Sequence, residues 1–483
     1  MRYLARRFGP YYDFDIPEVI SPGDPRIEKQ DILSRRKIVY SKGNIITLNR
    51  VNRLNSRDIV DTVMKIRVEN PDSLIYIPAL GLPYDYPVLF YIGVDILDDS
   101  RITLLGDSKC ISEFGVYESV GCKQRNMAEK DRIMNLIKIS LEKGRFRELV
   151  ENYSITSFSK EILRIADMNY YNIMDKFMDL RERKIYANSV ESIRRPEVVN
   201  FRERVKTLGQ TAENLLLIPC SAVKPYSRSK THRILHSLIK EFLPGIQEVI
   251  VTSPLGLVPR EIEFLFPAAY YDIPVTGHWY GEEKEILLNI GKDFFSGKKY
   301  RNVFFILPKG ESEITNIFSD ANGIEGSLNL ENAEKLRKIL EEKGIKGNGK
   351  EKEKRGISNI LKFLYSVELD YKEIETKDEG NRKIVIYRGE KFAKITENGV
   401  RMMPGLAEFL KSRGLRIVEI QGVFKGDNVF IPGIKSVSED VRPGMDVVLI
   451  SQGNVVGRGI SEIASFDLKV EKKGLGIRDV SYF

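Results

Sequence analysis

A chain of 483 residues is too long for one hydrophobic core and suggests roughly three or four domains. Its 42% hydrophobic and 30% charged residues are ordinary globular composition and exclude a disordered polymer. The 76 basic and 68 acidic side chains leave a net charge of +8, which admits an anionic partner such as nucleic acid without requiring one.

In chain order, residues 1–200 alternate short apolar runs with helical patterns. Residues 73–78 and 88–93 read as buried strands, and 133–141, 146–152 and 159–180 as amphipathic helices. The alternation predicts an α/β fold resembling a TIM barrel, truncated because about 200 residues is at the short limit for eight βα units. A doubly wound α/β core is expected over 201–343. There, 215–220, 248–253 and 302–307 read as strands, while 231–242, 261–269 and 282–295 read as helices. This order implies a parallel sheet, whose ligands sit at the carboxyl ends of the strands. Cys220 and Ser253 each stand at such an end.

Residues 344–355, rich in Lys, Glu and Gly, read as a surface linker or helix–helix loop. They open a small α+β domain over 344–414, with a strand at 383–387 and a helix at 404–412. The remainder, 415–483, carries short strands at 422–424, 428–433 and 447–451 and reads as a small β-barrel.

Three cysteines, Cys110, Cys122 and Cys220, cannot complete a fully paired disulfide framework or a four-cysteine metal site, and none form a C-x-x-C pair. No metal and no cofactor are expected. No apolar stretch approaches the roughly 18 residues of a membrane span, and Met1 to Arg7 turns polar at once, so the chain reads as cytosolic with no membrane partner. All three histidines, His232, His236 and His278, lie between Cys220 and the only tryptophan, Trp279. Histidine acid–base chemistry near neutral pH can come only from this stretch.

Three sets of residues carry resemblances. Asn428-Val429-Phe430-Ile431-Pro432-Gly433-Ile434, Val441-Arg442-Pro443-Gly444-Met445-Asp446-Val447-Val448 and Val456-Gly457-Arg458-Gly459 resemble a PUA domain, the RNA-binding barrel appended to many RNA-modifying enzymes. Another glycine-rich barrel is the alternative. The resemblance implies RNA contacts from Lys435, Arg442 and Arg458. Residues 1–200 resemble a tRNA-guanine transglycosylase through Tyr76-Ile77-Pro78-Ala79-Leu80-Gly81, the run Tyr86 to Asp95, and Glu191 to Val198. With two cysteines and no histidine this region cannot form the family's usual zinc site, so base exchange is not expected of it.

Between these regions, Pro219, Cys220, Lys224, Pro225, Tyr226, Ser229 and His232, spaced P-C-x-x-x-K-P-Y-x-x-S-x-x-H, resemble the archaeosine synthase family. So do the runs Thr252 to Arg260 and Pro267 to Trp279. The resemblance implies that tRNA carrying 7-cyano-7-deazaguanine in its D-loop is the substrate. A nitrogen donor adds to the nitrile to form an amidine on the way to archaeosine. Free lysine is the donor the family implies, with glutamine or ammonia as the older proposal and a radical S-adenosylmethionine enzyme as a partner.

The chemistry needs a neutral amine or a covalent handle, a proton for the developing imine nitrogen, and a hold on the cationic amidine. Cys220 is a candidate thiolate nucleophile, favoured by Lys224 and Arg228 nearby, or a small buried residue ending a strand. Lys224 could orient the base or belong to a solvated basic run with Arg228 and Lys230. His232 is the candidate acid or base, with His236 in packing. His278 could stack on the base or be a satisfied buried histidine. Pro219, Ser221, Tyr226, Ser229, Ser253, Arg260, Asp272 and His278 are the expected substrate contacts, and Cys220, Lys224 and His232 the catalytic set. Glu261 and Glu263 could bind the donor or face water. Two other functions stay open: a non-catalytic tRNA-binding scaffold and an active transglycosylase. A homodimer is also left open.

Overall fold

In the computed structural model the described residues are all except 1, 4, 5, 8, 28–34, 36, 177, 275–278, 280, 397, 398, 424, 425, 466, 471 and 472. They divide into two units, one of Met1–Arg181 with Leu415–Gln452 and Gly459–Val480, the other of Glu182–Gly414 with Gly453–Arg458 and Ser481–Phe483.

The first unit is built on a five-stranded sheet ordered Glu18–Ile20, Ile96–Asp98, Leu74–Ile77, Ile45–Leu48, Val39–Lys42. Its neighbours are parallel except for the last hairpin. Leu74–Ile77 is the strand expected near 73–78, and all four of its residues are buried. The second expected strand, at 88–93, falls instead on the helix Tyr86–Tyr91. Every residue of that helix is buried, so no polar face reveals its period, and Pro87 sits in its first turn, where the missing N–H costs nothing. Helices Cys122–Glu142, Phe146–Tyr153 and Ser157–Asn169 stand where helical patterns are expected. The pattern over 159–180 is two helices, the second being Tyr171–Lys176.

Cys110 and Cys122 are joined as a disulfide and Cys220 is free. The C-terminal segment contributes a six-stranded sheet of Ile417–Ile420, Val429–Phe430, Ile434–Val437, Asp446–Ser451, Asn454–Ser461 and Leu475–Tyr482. The strand expected at 422–424 is absent at 422 and 423, and 424 lies outside the described residues.

The second unit holds the α/β core. Its strands are β1 (Asn214–Pro219), β2 (Ile246–Thr252), β3 (Gly256–Pro259), β4 (Asn302–Leu307) and β5 (Ala321–Glu325). They lie in the order β3-β2-β1-β4-β5, all parallel except the edge strand β3. The central strands β1 and β2 are buried throughout. Helices α1 (Lys230–Ile239), α2 (Gly281–Phe295) and α3 (Leu330–Glu342) cover the sheet.

The chain turns back after β2 at Gly256, whose φ of +81° suits glycine and whose missing side chain leaves room for Ile290. That turn creates β3, and only the short 3-10 turn Arg260–Ile262 follows where a helix over 261–269 is expected. The supposed linker at 344–355 is mostly the start of a helix, Gly349–Tyr365, capped by the Asn348 side chain. Its Lys and Glu residues coat a helix rather than a loop. An antiparallel four-stranded sheet of Ile374–Glu379, Arg382–Tyr387, Glu390–Thr396 and Gly399–Met402 precedes the helix Pro404–Ser412.

Candidate functional site at the carboxyl edge of the core sheet

The order β3-β2-β1-β4-β5 reverses direction at β1. In such sheets the crevice opens outside the carboxyl ends of the two strands that leave in opposite directions, here β1 and β4. Cys220 directly follows β1, and its amide still bonds Val251 O at 3.1 Å. The loop beyond it ends at Ser229, whose hydroxyl caps α1 by accepting from the His232 amide at 3.3 Å.

Beside Cys220 runs a chain of buried hydroxyls. Tyr226 and Tyr271 share a hydrogen bond of 2.7 Å, and Thr252 Oγ1 lies 2.5 Å from the Tyr271 hydroxyl. Lys224 Nζ sits 4.1 Å above the Tyr271 ring and 3.5 Å from Ser221 O.

Burial pushes the Cys220 thiol up. A hydrogen bond from Thr252 and the charge of Lys224 oppose this, and the Glu311 carboxylate adds to it. Burial pushes the Lys224 ammonium down, against the pull of Cys220 and Asp272. The expectation that nearby cations hold a thiolate is therefore not met in the free protein, because desolvation is the larger effect. A neutral thiol stands beside an amine biased toward neutrality.

Glu311 completes this edge. It follows β4 by four residues, its Oε2 is buried without a hydrogen-bond partner among the described residues, and burial pushes its carboxyl up to about 7. Ser253 donates to Glu283 of α2. Asp272 pairs with Lys184 at 2.8 Å on the exposed side, and that ammonium holds its carboxyl low.

A second polar cluster lies behind the first. His232 is fully buried, with Nε2 3.1 Å from Pro219 O and Nδ1 2.9 Å from Arg260 Nη2. Arginine can only donate and a carbonyl can only accept, so Nδ1 accepts and Nε2 carries the proton. Burial, helped by the Arg260 charge, pushes its pKa down to about 4. Both ring nitrogens are engaged within the fold, so His232 ties Pro219 to Arg260.

Arg260, an expected substrate contact, is likewise engaged. It bonds Glu263 at 2.8 Å and Glu248 at 3.1 Å. Glu248 also takes His236 Nε2 at 2.6 Å, and Glu263 takes the Ser227 amide at 3.1 Å. Ser229 is a helix cap, Tyr226 is fully buried, and Ser221 is half-buried with its hydroxyl on Val223 O at 2.8 Å. His278 lies outside the described residues. The structure thus gathers Cys220, Lys224, Tyr226 and Ser253 at one edge and adds Thr252, Tyr271 and Glu311, which the sequence reading did not single out. The edge rule applied to the third strand would have found Glu311.

Of the three residues expected to face RNA, Lys435 is half exposed, 3.6 Å from Glu419. Arg442 pairs with Asp175 at 2.7 Å, and Arg458 is buried. A cleft of about 650 Å³ opens at the amino ends of the core strands, lined by Asn214, Gly245, Asn302 and Lys352 among others. It contains none of the expected site residues. No helix among the described residues is long and apolar enough to cross a membrane.

Residues 198–341 match the family model of a domain of unknown function, DUF5591, and residues 419–478 match that of the PUA domain. The α/β core is thus followed in the chain by a PUA module, and the relatives that share this chain's length are tRNA-modifying enzymes. Archaeosine synthase subunit alpha of Thermoplasma acidophilum is 28% identical over 466 residues, covering 93% of this chain and 89% of that protein. Archaeosine synthase subunit alpha of Thermococcus kodakarensis is 30% identical over 421 residues, covering 82% and 73%. The chain belongs to the archaeosine synthase family. A tRNA-guanine(15) transglycosylase of Methanocaldococcus jannaschii is 19% identical over 498 residues, covering 91% and 70%, so the transglycosylase relationship extends along the chain.

Proposed function

We propose that this protein is a tRNA-modifying transferase that forms archaeosine by adding a nitrogen donor to the nitrile of 7-cyano-7-deazaguanine in tRNA, with free lysine as the donor. The family membership supports archaeosine formation. The observation that carries the chemistry is the neutral Cys220 thiol beside the Lys224 amine at the switch point of the sheet.

In this reading Cys220 adds to the nitrile carbon and gives a thioimidate, and the donor amine displaces the thiol to leave the amidine. A protonated amine does not attack, so Lys224 accepts the donor's proton. Tyr226, Tyr271 and Thr252 fix Cys220 and Lys224 in place, and His232 with Arg260 anchors Pro219. A radical S-adenosylmethionine enzyme then cleaves the lysine adduct.

We assign 1–200 as a degenerate, truncated barrel related to transglycosylases, 201–343 as the catalytic core, 344–414 as a small α+β domain and 415–483 as the RNA-binding module. The enzyme would act in the cytoplasm. Mass spectrometry of nucleosides from nitrile-bearing tRNA incubated with protein and lysine should show an adduct heavier by one lysine. Tight tRNA binding with no adduct from lysine, glutamine or ammonia would overturn the reading in favour of a scaffold.

A further inference from the structure

The Cys220 step has an unmet requirement. A thiol that adds to a nitrile must lose a proton, and the nitrile nitrogen must gain one. His232 cannot shuttle it, because Pro219 and Arg260 occupy both ring nitrogens.

Glu311 stands where the topology converges. β1 and β4 are adjacent and parallel, with Leu217 opposite Phe305. Cys220 leaves the carboxyl end of β1, and Glu311 leaves that of β4 through Pro308, Lys309 and Gly310. The charged groups of the adjoining elements have partners of their own: Lys284 of α2 pairs with Glu313, Glu283 takes Ser253, and Glu325 of β5 takes Ser312. The carboxyl keeps a buried oxygen, Oε2, with no bond among the described residues.

We propose that Glu311 is a catalytic residue of this site, the carboxyl that takes the Cys220 thiol proton and delivers it to the nitrile nitrogen. The proposal rests on the nitrile-addition reading given above. The sulfur–carbon bond forms as one π bond of the nitrile breaks, and the proton moves from sulfur through Glu311 to nitrogen. When the donor amine later expels the sulfur, the proton that Lys224 took from the amine passes through Glu311 to the thiolate, which restores Lys224 and Cys220. No oxidant or reductant enters, and Glu311 is regenerated. Its titration near 7 lets one group act in both directions at neutral pH.

The test uses the full chain with Glu311→Gln and Glu311→Asp. With Cys110 and Cys122 joined, Cys220 is the only free thiol, so iodoacetamide labelling read by intact mass reports on it alone. Glu311→Gln removes a carboxylate that raises the thiol, so its alkylation midpoint should move to lower pH. With nitrile-bearing tRNA and lysine, single-turnover adduct formation should fall by about 10²-fold or more and lose the wild-type pH dependence near 7. Glu311→Asp should recover part of the rate if the carboxyl, rather than the fold, is what matters.

An unmoved midpoint with turnover within about threefold of wild type overturns the inference. Should wild type form no adduct with any donor, the nitrile reading itself fails. The labelling arm still decides the pairing: a shifted midpoint upholds the Cys220–Glu311 pair and an unshifted one removes it.

Discussion

Two polar clusters share one α/β core, yet they hold protons in opposite ways. In the first, Arg260 lies among Glu248, Glu263, His232 and His236, and every ionised group has a partner within 3.1 Å. Burial opposes ionisation of Glu248, but Arg260 and His236 outweigh it and hold that carboxyl well below its usual range. In the second, Cys220, Lys224 and Glu311 are partly buried without matched counter-charge, and desolvation drives each toward its neutral form. Paired burial fixes geometry, whereas unpaired burial leaves groups able to exchange protons with whatever enters. The fold has spent its histidine on the first cluster and left its chemistry to the second.

The sharpest way to break this comparison is Cys220→Ala. If the second cluster is the reacting centre, adduct formation should fall on the order of 10⁴-fold, the scale of losing a nucleophile. tRNA binding and melting temperature should change little, since the deleted group is small. Full turnover in this variant would move the chemistry away from the thiol. Next in size is Arg260→Leu, which takes the guanidinium away from the buried carboxylates of Glu248 and Glu263 and leaves them only His236 and the Ser227 amide. It should destabilise the fold by about 3–5 kcal/mol in urea unfolding. A loss of turnover with stability intact would return Arg260 to the substrate.

The third test uses pH. His232 titrates near 4 in the fold, against about 6.5 when unfolded. Between those values the unfolded chain binds the extra proton, so the stability His232 confers is full above pH 6.5 and lost as pH falls toward 4. Glu311 runs the other way. Its folded value near 7 lies above the unfolded value near 4.3, so its contribution is full below pH 4.3 and lost as pH rises toward 7. Each window is worth about 3 kcal/mol. Relative to wild type, Glu311→Gln should therefore gain stability as pH rises from 4.5 to 7, and His232→Asn should lose it. Urea midpoints across that range check both signs, and parallel curves would show that the clusters do not differ as described.

Much of this was legible in the chain. The unbroken apolar runs of β1, β2 and β4, separated by helices, gave a parallel sheet, and the edge rule then gave Cys220 and Ser253. Lys224 followed from the same loop. Elsewhere local pattern was ambiguous for physical reasons. The 88–93 run is buried on all sides, so strand and helix look alike. The glycine-containing charged stretch before Ile357 reads as linker until it is seen docked along one side. His232 misled because its partner is 28 residues away across a strand turn, and no spacing rule shows that contact. Arg442 and Arg458 misled likewise, since a basic residue in an RNA-binding fold can be spent on an internal partner or buried. Glu311 was hidden because single loop carboxylates are usually solvated, and its distinction is the partner it lacks.

Ser229 gives the smallest and most discriminating test. It belongs to the motif loop that carries Cys220 and Lys224, so sequence alone placed it on the substrate. Its hydroxyl instead accepts from the His232 amide and starts α1, which belongs with the paired cluster. Ser229→Ala should then cost about 1 kcal/mol, the usual value of an N-cap, because one amide at the helix start loses its acceptor. Below the melting range, KM for nitrile-bearing tRNA and the rate of adduct formation should stay within about twofold of wild type. A rise in KM without a change in melting temperature would show that the hydroxyl faces the substrate after all. A joint loss of rate and stability, repaired by Ser229→Asp, which caps as well, would assign the effect to the helix start and leave the division between the two clusters intact.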